Sequence, residues 1–193
     1  MESLKPRDVL SKEDYERLRP ETRRRIMVQK DRRRIAVGDH CTLHFECRDT
    51  MLYQVHEMLR AENSWHRPGA LQDEIEAYSP IVPAEGELSA TLMFEYETPE
   101  ERATMLPALV GIDRHVFLEI GTAAPLLARF DRGQIDEDKV SSVQYVKWVL
   151  DDTRRRLLKE DGVVVRIRID HSLYAAQAVL SEESRRAIAS DPD

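Results

Sequence analysis

Apolar and polar residues alternate with period two along several short stretches of this chain, a spacing that predicts strands with one buried face. Cys41, Leu43, Phe45 and Cys47 alternate with Thr42, His44 and Glu46, and Leu88, Ala90, Leu92, Phe94 and Tyr96 alternate with Ser89, Thr91, Met93, Glu95 and Glu97. Further strands are expected over HVFLEIG (115–121), near LLARF (126–130), across SVQYVKWVL (142–150) and over VVVRIRID (163–170).

Between these runs the period lengthens to that of helices. Ser11 followed by Lys-Glu-Asp reads as a helix cap with early acids, and the helix is expected to break or kink at Pro20, with a second, arginine-rich helix after it carrying Ile26 and Val28. Asp49-Thr50 is expected to cap a helix to about Trp65. Met51, Leu52, Val55, Met58 and Leu59 form its apolar stripe, with Tyr53, Glu57 and Arg60 on the opposite side. A short acidic helix around 72–77, one entered at Pro99, one over DDTRRRLLKEDG (151–162) and a last one from Ser181 complete the pattern. Strands occur both as neighbours and separated by helices. The expectation is therefore a single α+β domain over 1–193, a mainly antiparallel sheet with packed helices, in which 1–34 forms a basic helical arm on the body 35–193.

Composition supports a self-sufficient core: of 193 residues, 41% are apolar and 34% charged, outside the range of disordered chains. The net charge of −7 is unevenly spread, since the first 34 residues hold 12 Lys and Arg against 7 Asp and Glu, and the rest 17 against 29. The arm is expected to dock on its own acidic body or on a protein partner; nucleic acid is not expected, because its arginines point around two short helices. No apolar run approaches the ~20 residues that span a bilayer, so no membrane association is expected and the cytoplasm is the expected location. The only cysteines, Cys41 and Cys47, sit six residues apart on one strand, roughly 20 Å in extended chain, too far for a disulfide or a shared metal. They are expected to be buried and apolar in behaviour.

Candidate chemistry is sparse. VHEMLR (55–60) stops one residue short of the zinc-protease pattern H-E-x-x-H, and Arg60 cannot stand in for the second histidine because a guanidinium has no lone pair for a metal. Glu62 falls near the centre of the apolar stripe, about 20° from Val55, which predicts a carboxylate that is buried with a partner or released at a fraying helix end. Asp170, His171 and Tyr174 follow a strongly apolar strand. They are open to two readings: His171 as a general base oriented by Asp170 or as a metal ligand, with Tyr174 as donor, or a turn in which Asp170 bonds local backbone and the histidine packs. His44 and Glu46 share the polar face of their strand, a spacing that permits joint coordination, but a solvated face is the expected explanation. The candidate ligand or partner site is accordingly Glu57, Arg60, Glu62, Asp170, His171 and Tyr174, with no catalytic residue, metal or cofactor expected. The 7 glycines are scattered and form no phosphate loop.

Six stretches carry a resemblance: DYERLRPETR (14–23), QVHEMLRAEN (54–63), EIEAYSPIVP (74–83), SATLMFEYETPEERATMLPALVGIDRHVFLEIG (89–121), SSVQYVKWVL (141–150) and DHSLY (170–174). Together they resemble a bacterial family known as domain of unknown function 3501, over nearly the whole chain. The resemblance implies a context, namely proteins encoded beside a rubrerythrin and an iron-sulfur oxidoreductase of the heterodisulfide-reductase kind, either of which is thereby an expected partner. The family pattern implies a histidine near Gln144 and an acid near Gln177, where this sequence has amides. Two functions follow as expectations. One is a non-catalytic accessory or binding protein of a redox or peroxide-defence system; the alternative is a small metal-dependent or acid-base enzyme using Glu62, His171 and Tyr174.

Overall fold

The strands predicted by alternation assemble into two antiparallel sheets in a computed structural model that describes residues 3–131 and 138–193. The first sheet has the order β1 (Arg34–Ala36), β2 (Cys41–Glu46), β3 (Glu87–Phe94), β7 (Val143–Val149) and β6 (Arg129–Phe130). The second has the order β5 (Leu126–Leu127), β4 (Val116–Ile120), β8 (Val165–His171) and β9 (Tyr174–Val179). Their apolar faces meet. Leu43, Phe45, Leu92 and Trp148 from the first sheet and Leu118, Ile167 and Ile169 from the second belong to one buried cluster. This is the α+β architecture expected from the sequence. The stretch LLARF, read as one strand, serves both sheets: Leu126 and Leu127 pair with β4, Arg129 and Phe130 with β7, and buried Ala128 is the handover point.

The helices α1 (Lys12–Arg32), α2 (Arg48–Ala61) and α3 (Ala70–Tyr78) have a second apolar cluster, including Met51, Val55, Leu59, Ile75 and Ile81. α4 (Pro99–Ala108), α5 (Asp152–Lys159) and α6 (Glu182–Ile188) complete the chain. Among the described residues no helix is long and apolar enough to cross a membrane.

Pro20 does not end the first helix, contrary to expectation: α1 runs unbroken past it. A proline removes one backbone hydrogen bond and crowds the preceding turn, but α1 is held on both sides of that position by its neighbours. Before it, Tyr15 is buried and its ring stacks on His56 at 4.4 Å. Arg19 donates two hydrogen bonds to Glu57, at 2.7 and 2.8 Å, and Arg25 pairs with Asp49 at 2.8 Å. Just beyond the helix, Arg33 makes a bidentate pair with Asp191 at 2.7 and 2.9 Å, both side chains almost wholly buried. The basic segment thus docks on the chain's own carboxylates. Burial pushes the Asp191 carboxyl up, with the guanidinium pulling against it.

β9 was not expected, because Ala175, Ala176 and Ala178 give a weak strand signal. It forms because Ser172 and Leu173 make a two-residue turn that returns the chain beside β8, pairing His171 with Tyr174.

Candidate functional site

In an antiparallel sheet, directly opposed residues point to the same side, so the register of the first sheet fixes which polar groups meet. Arg34, His44, Thr91 and Tyr145 form one row across β1, β2, β3 and β7. Glu46, Ser89, Lys147 and Arg129 form the next, across β2, β3, β7 and β6. The second reading for His44 and Glu46, a solvated face, is corrected by the structure. This face lies beneath α1, α2 and α3, and a cleft of about 480 Å³ separates floor from roof. Met27, Lys30 and Asp31 of α1, Met51 and Gln54 of α2 and Tyr78 of α3 face His44, Glu46, Thr91 and Tyr145 across it. A second chamber of about 510 Å³ shares Ile81 and Tyr145 with the first and runs over Ser89 and Lys147.

Glu46 is the polar centre of the floor and is only 4% exposed. Thr50 donates to one carboxylate oxygen at 2.6 Å and Thr91 to the other at 2.8 Å. Thr50 holds its place because its hydroxyl also accepts the Cys47 amide at 3.0 Å, tying the first turn of α2 to the end of β2. Among the described residues no lysine, arginine or histidine forms an ion pair with Glu46, although Lys147, two strands away, pairs with Glu87 at 2.7 Å. Between them Ser89, 1% exposed, keeps a buried hydroxyl without a hydrogen-bond partner among the described residues. Burial lowers the pKa of half-buried His44 below its ordinary value, so the imidazole is neutral at pH 7, and pushes the phenols of Tyr78 and Tyr145 up.

The residues singled out from sequence are dispersed. The zinc-protease look-alike proves to be a structural pair of contacts. His56 is buried, its Nδ1 lies 2.8 Å from the Leu52 carbonyl and its Nε2 accepts the Leu10 amide at 2.9 Å, so both ring nitrogens are occupied. Glu57 accepts from Tyr15 at 2.6 Å and from Arg19, whose hydrogen bonds hold its carboxyl down at about 2. Tyr53, expected to face away from the core, is buried, and Glu57 is half-buried, because α1 covers that side of α2. Arg60 pairs at the surface with Glu16 at 2.8 Å. Glu62 is exposed, which overturns the reading that it is buried with a partner and leaves the other, release at the helix end: α2 ends at Ala61, Glu62 is the C-cap, and the helical projection no longer applies there.

Asp170 and His171 are consecutive on β8 and point to opposite faces. Asp170 therefore orients His115, at 2.9 Å, and not His171, which is buried edge-on against the His115 ring at 5.3 Å. Tyr174 donates to the Val37 carbonyl at 2.6 Å and accepts the His40 amide at 3.2 Å, clamping the loop between β1 and β2. Gly38 in that loop has φ +75°, and a Cβ there would lie 2.8 Å from the Tyr174 hydroxyl, so the close approach needs glycine. Glu62, in the helical layer, does not share a site with His171 and Tyr174 in the second sheet. Gln144 is buried and Gln177 exposed, again on different sheets. Cys41 and Cys47 are both buried and free, as expected, and burial pushes the Cys41 thiol up to about 12. Among the described residues no three of His, Cys, Asp and Glu converge as metal ligands.

Sequence reasoning found His44 and Glu46 but not Thr50, Ser89, Thr91 or Tyr145. The available signal was that these positions alternate on adjacent strands; what could not be read was the helical roof that makes their polarity unusual.

No curated protein matches the chain. Over its full length the chain is similar to the crystal structure of a novel protein of unknown function from Burkholderia pseudomallei K96243, with 34% sequence identity, a TM-score of 0.91 and 100% of each chain covered. The family model for proteins of unknown function, DUF3501, matches residues 3–192, and the chain belongs to that family.

Proposed function

We propose that this protein is a non-catalytic binding protein whose small-molecule ligand occupies the cleft between the outer face of the first sheet and helices α1 to α3. One observation carries the reading: a buried carboxylate, Glu46, lies on the floor of a ligand-sized cavity and among the described residues has no cation paired to it. A sheet face covered by helices is normally apolar, because a desolvated polar group costs free energy unless it gains something in return. A cleft of this volume, part apolar and part convergent polar groups, matches the usual form of a ligand site. Both oxygens of Glu46 are held by threonine hydroxyls, an arrangement that fixes a carboxylate for recognition.

Within the cell we propose an accessory role in a redox or peroxide-defence system, with a rubrerythrin-like or iron-sulfur oxidoreductase protein as partner; the family resemblance supports this placement. The cytoplasm is the compartment that would keep its two free thiols reduced.

Purification from the native host, heat release of bound small molecules and mass spectrometry test the binding reading. A near-stoichiometric small molecule is expected from the native chain and not from Glu46→Gln. Equal yields from both would contradict a site built on Glu46, and recovery of nothing from either would contradict a resident ligand.

A further inference from the structure

We propose that the ligand of this cleft is an amphoteric amino-carboxylate, its ammonium group seated on Glu46 and its carboxylate held by Lys30 and Arg34; this rests on the cleft being a ligand site. Glu46 offers a buried, negatively charged acceptor whose two hydroxyl contacts are neutral and do not balance its charge. Both hydroxyl contacts orient the carboxylate, and each of its oxygens retains acceptor capacity beyond the one bond it receives. An ammonium is the complement that provides charge and donors together.

The opposite polarity lies at the other end of the same cleft. Among the described residues Lys30 forms no ion pair with a carboxylate and rests 5.9 Å from the Tyr53 ring, and Arg34 reaches Glu95 only loosely, at 3.7 Å, with the Arg34 and Glu95 side chains substantially exposed. Asp31 also lines the cleft beside these two cations, and Glu95 lies at the rim next to Arg34. His44 stands between the ends, directly opposite Arg34 and two residues before Glu46 on β2. Because Arg34 and His44 are directly opposed and Glu46 is two residues further along β2, the Cα atoms of Glu46 and Arg34 are about 8 Å apart by strand geometry. That span suits a short chain carrying charge at both ends. Met27, Met51 and Met93 line the space, giving an apolar and adaptable wall for the intervening methylenes. A ligand with an anion alone would leave Glu46 unpaired, and a ligand with a cation alone would meet Lys30 and Arg34 at the rim.

A matched series on the intact chain tests this: 5-aminovalerate, pentylamine, valerate and the uncharged valeramide, each titrated by calorimetry with amide shifts recorded by NMR. The expected result is that 5-aminovalerate binds at least about tenfold more tightly than any of the other three. Glu46→Gln should reduce its affinity to that of valerate, and Arg34→Gln should reduce it to that of pentylamine. Valerate or pentylamine binding as tightly as 5-aminovalerate would overturn the amphoteric assignment. If valeramide alone perturbs the cleft amides, the assignment falls and the binding site stands; if none of the four does, both fall. The series on the native chain decides the matter even if a variant fails to fold.

Discussion

The two sheets bury their inner faces in the same way and differ in what lies over their outer ones. On the second sheet, Glu119 pairs with Arg168 at 2.7 Å and Arg166 at 3.2 Å, Asp170 pairs with Arg168 and His115, and the Arg168 guanidinium lies 4.5 Å over the Phe117 ring. These groups are half-buried or exposed, their charges answer one another, and the face needs no ligand to explain it. The outer face of the first sheet is as polar but is roofed by helices; among the described residues Glu46 is held by two neutral hydroxyls and no ion pair, and the Ser89 hydroxyl has no hydrogen-bond partner. Polarity is common to both faces, and among the described residues each holds a buried atom without a hydrogen-bond partner, Arg166 Nε on the second and Ser89 Oγ on the first. What separates the candidate site is a buried carboxylate, Glu46, that among the described residues has no ion-pair partner.

The strongest way to break the comparison is to lift the roof. Arg33→Ala would leave Asp191 buried without its partner where α1 joins β1, and a loss of about 3–5 kcal/mol in denaturant stability is expected. A loss below about 1 kcal/mol would show that this pair does not hold the roof.

Acid should loosen the same layer more gently. His56 and His44 both have pKa values lowered by burial, so the unfolded chain binds more protons than the folded one just below the ordinary value of 6.5. Their contribution is complete above pH 6.5 and is lost as the pH falls below it. Glu57, held at about 2 by Arg19, adds a contribution present above its ordinary 4.5 and lost as the pH falls from there toward 2. The denaturation midpoint should therefore decline from pH 7 to 5 and again below 4.5, and a flat profile from 7 to 5 would contradict the buried neutral imidazoles.

The smallest effects separate the two faces directly. Glu119→Gln on the open sheet should cost up to about 1 kcal/mol, as partly exposed pairs do. Glu46→Gln should cost nothing or raise the midpoint, because it removes a buried charge that has no cation, at the expense of binding. A large destabilisation by Glu46→Gln would make that carboxylate structural.

Much of the architecture was legible because alternation at residues 41–47, 88–97 and 142–150 reports which side of a strand is buried. It does not report what covers the other side. Tyr53 and Glu57 looked like surface positions of α2 until α1 was placed over them, and His44 and Glu46 looked like a solvated face for the same reason. Glu62 misled in the opposite sense, since projecting a helical stripe past Ala61 assigns burial to a residue at the end of the helix. Pairings between distant segments, such as Arg33 with Asp191, leave no local pattern to read.

The most direct test of the central claim is to map amide chemical shifts on the full-length chain with a mixture of small polar fragments. The account predicts perturbations concentrated on β2, β3, β7 and the facing turns of α1 to α3, around His44, Glu46, Thr91 and Tyr145, with β8 and β9 silent. Perturbations centred on Arg168, Asp170 and His115, or none in the roofed cleft, would contradict it.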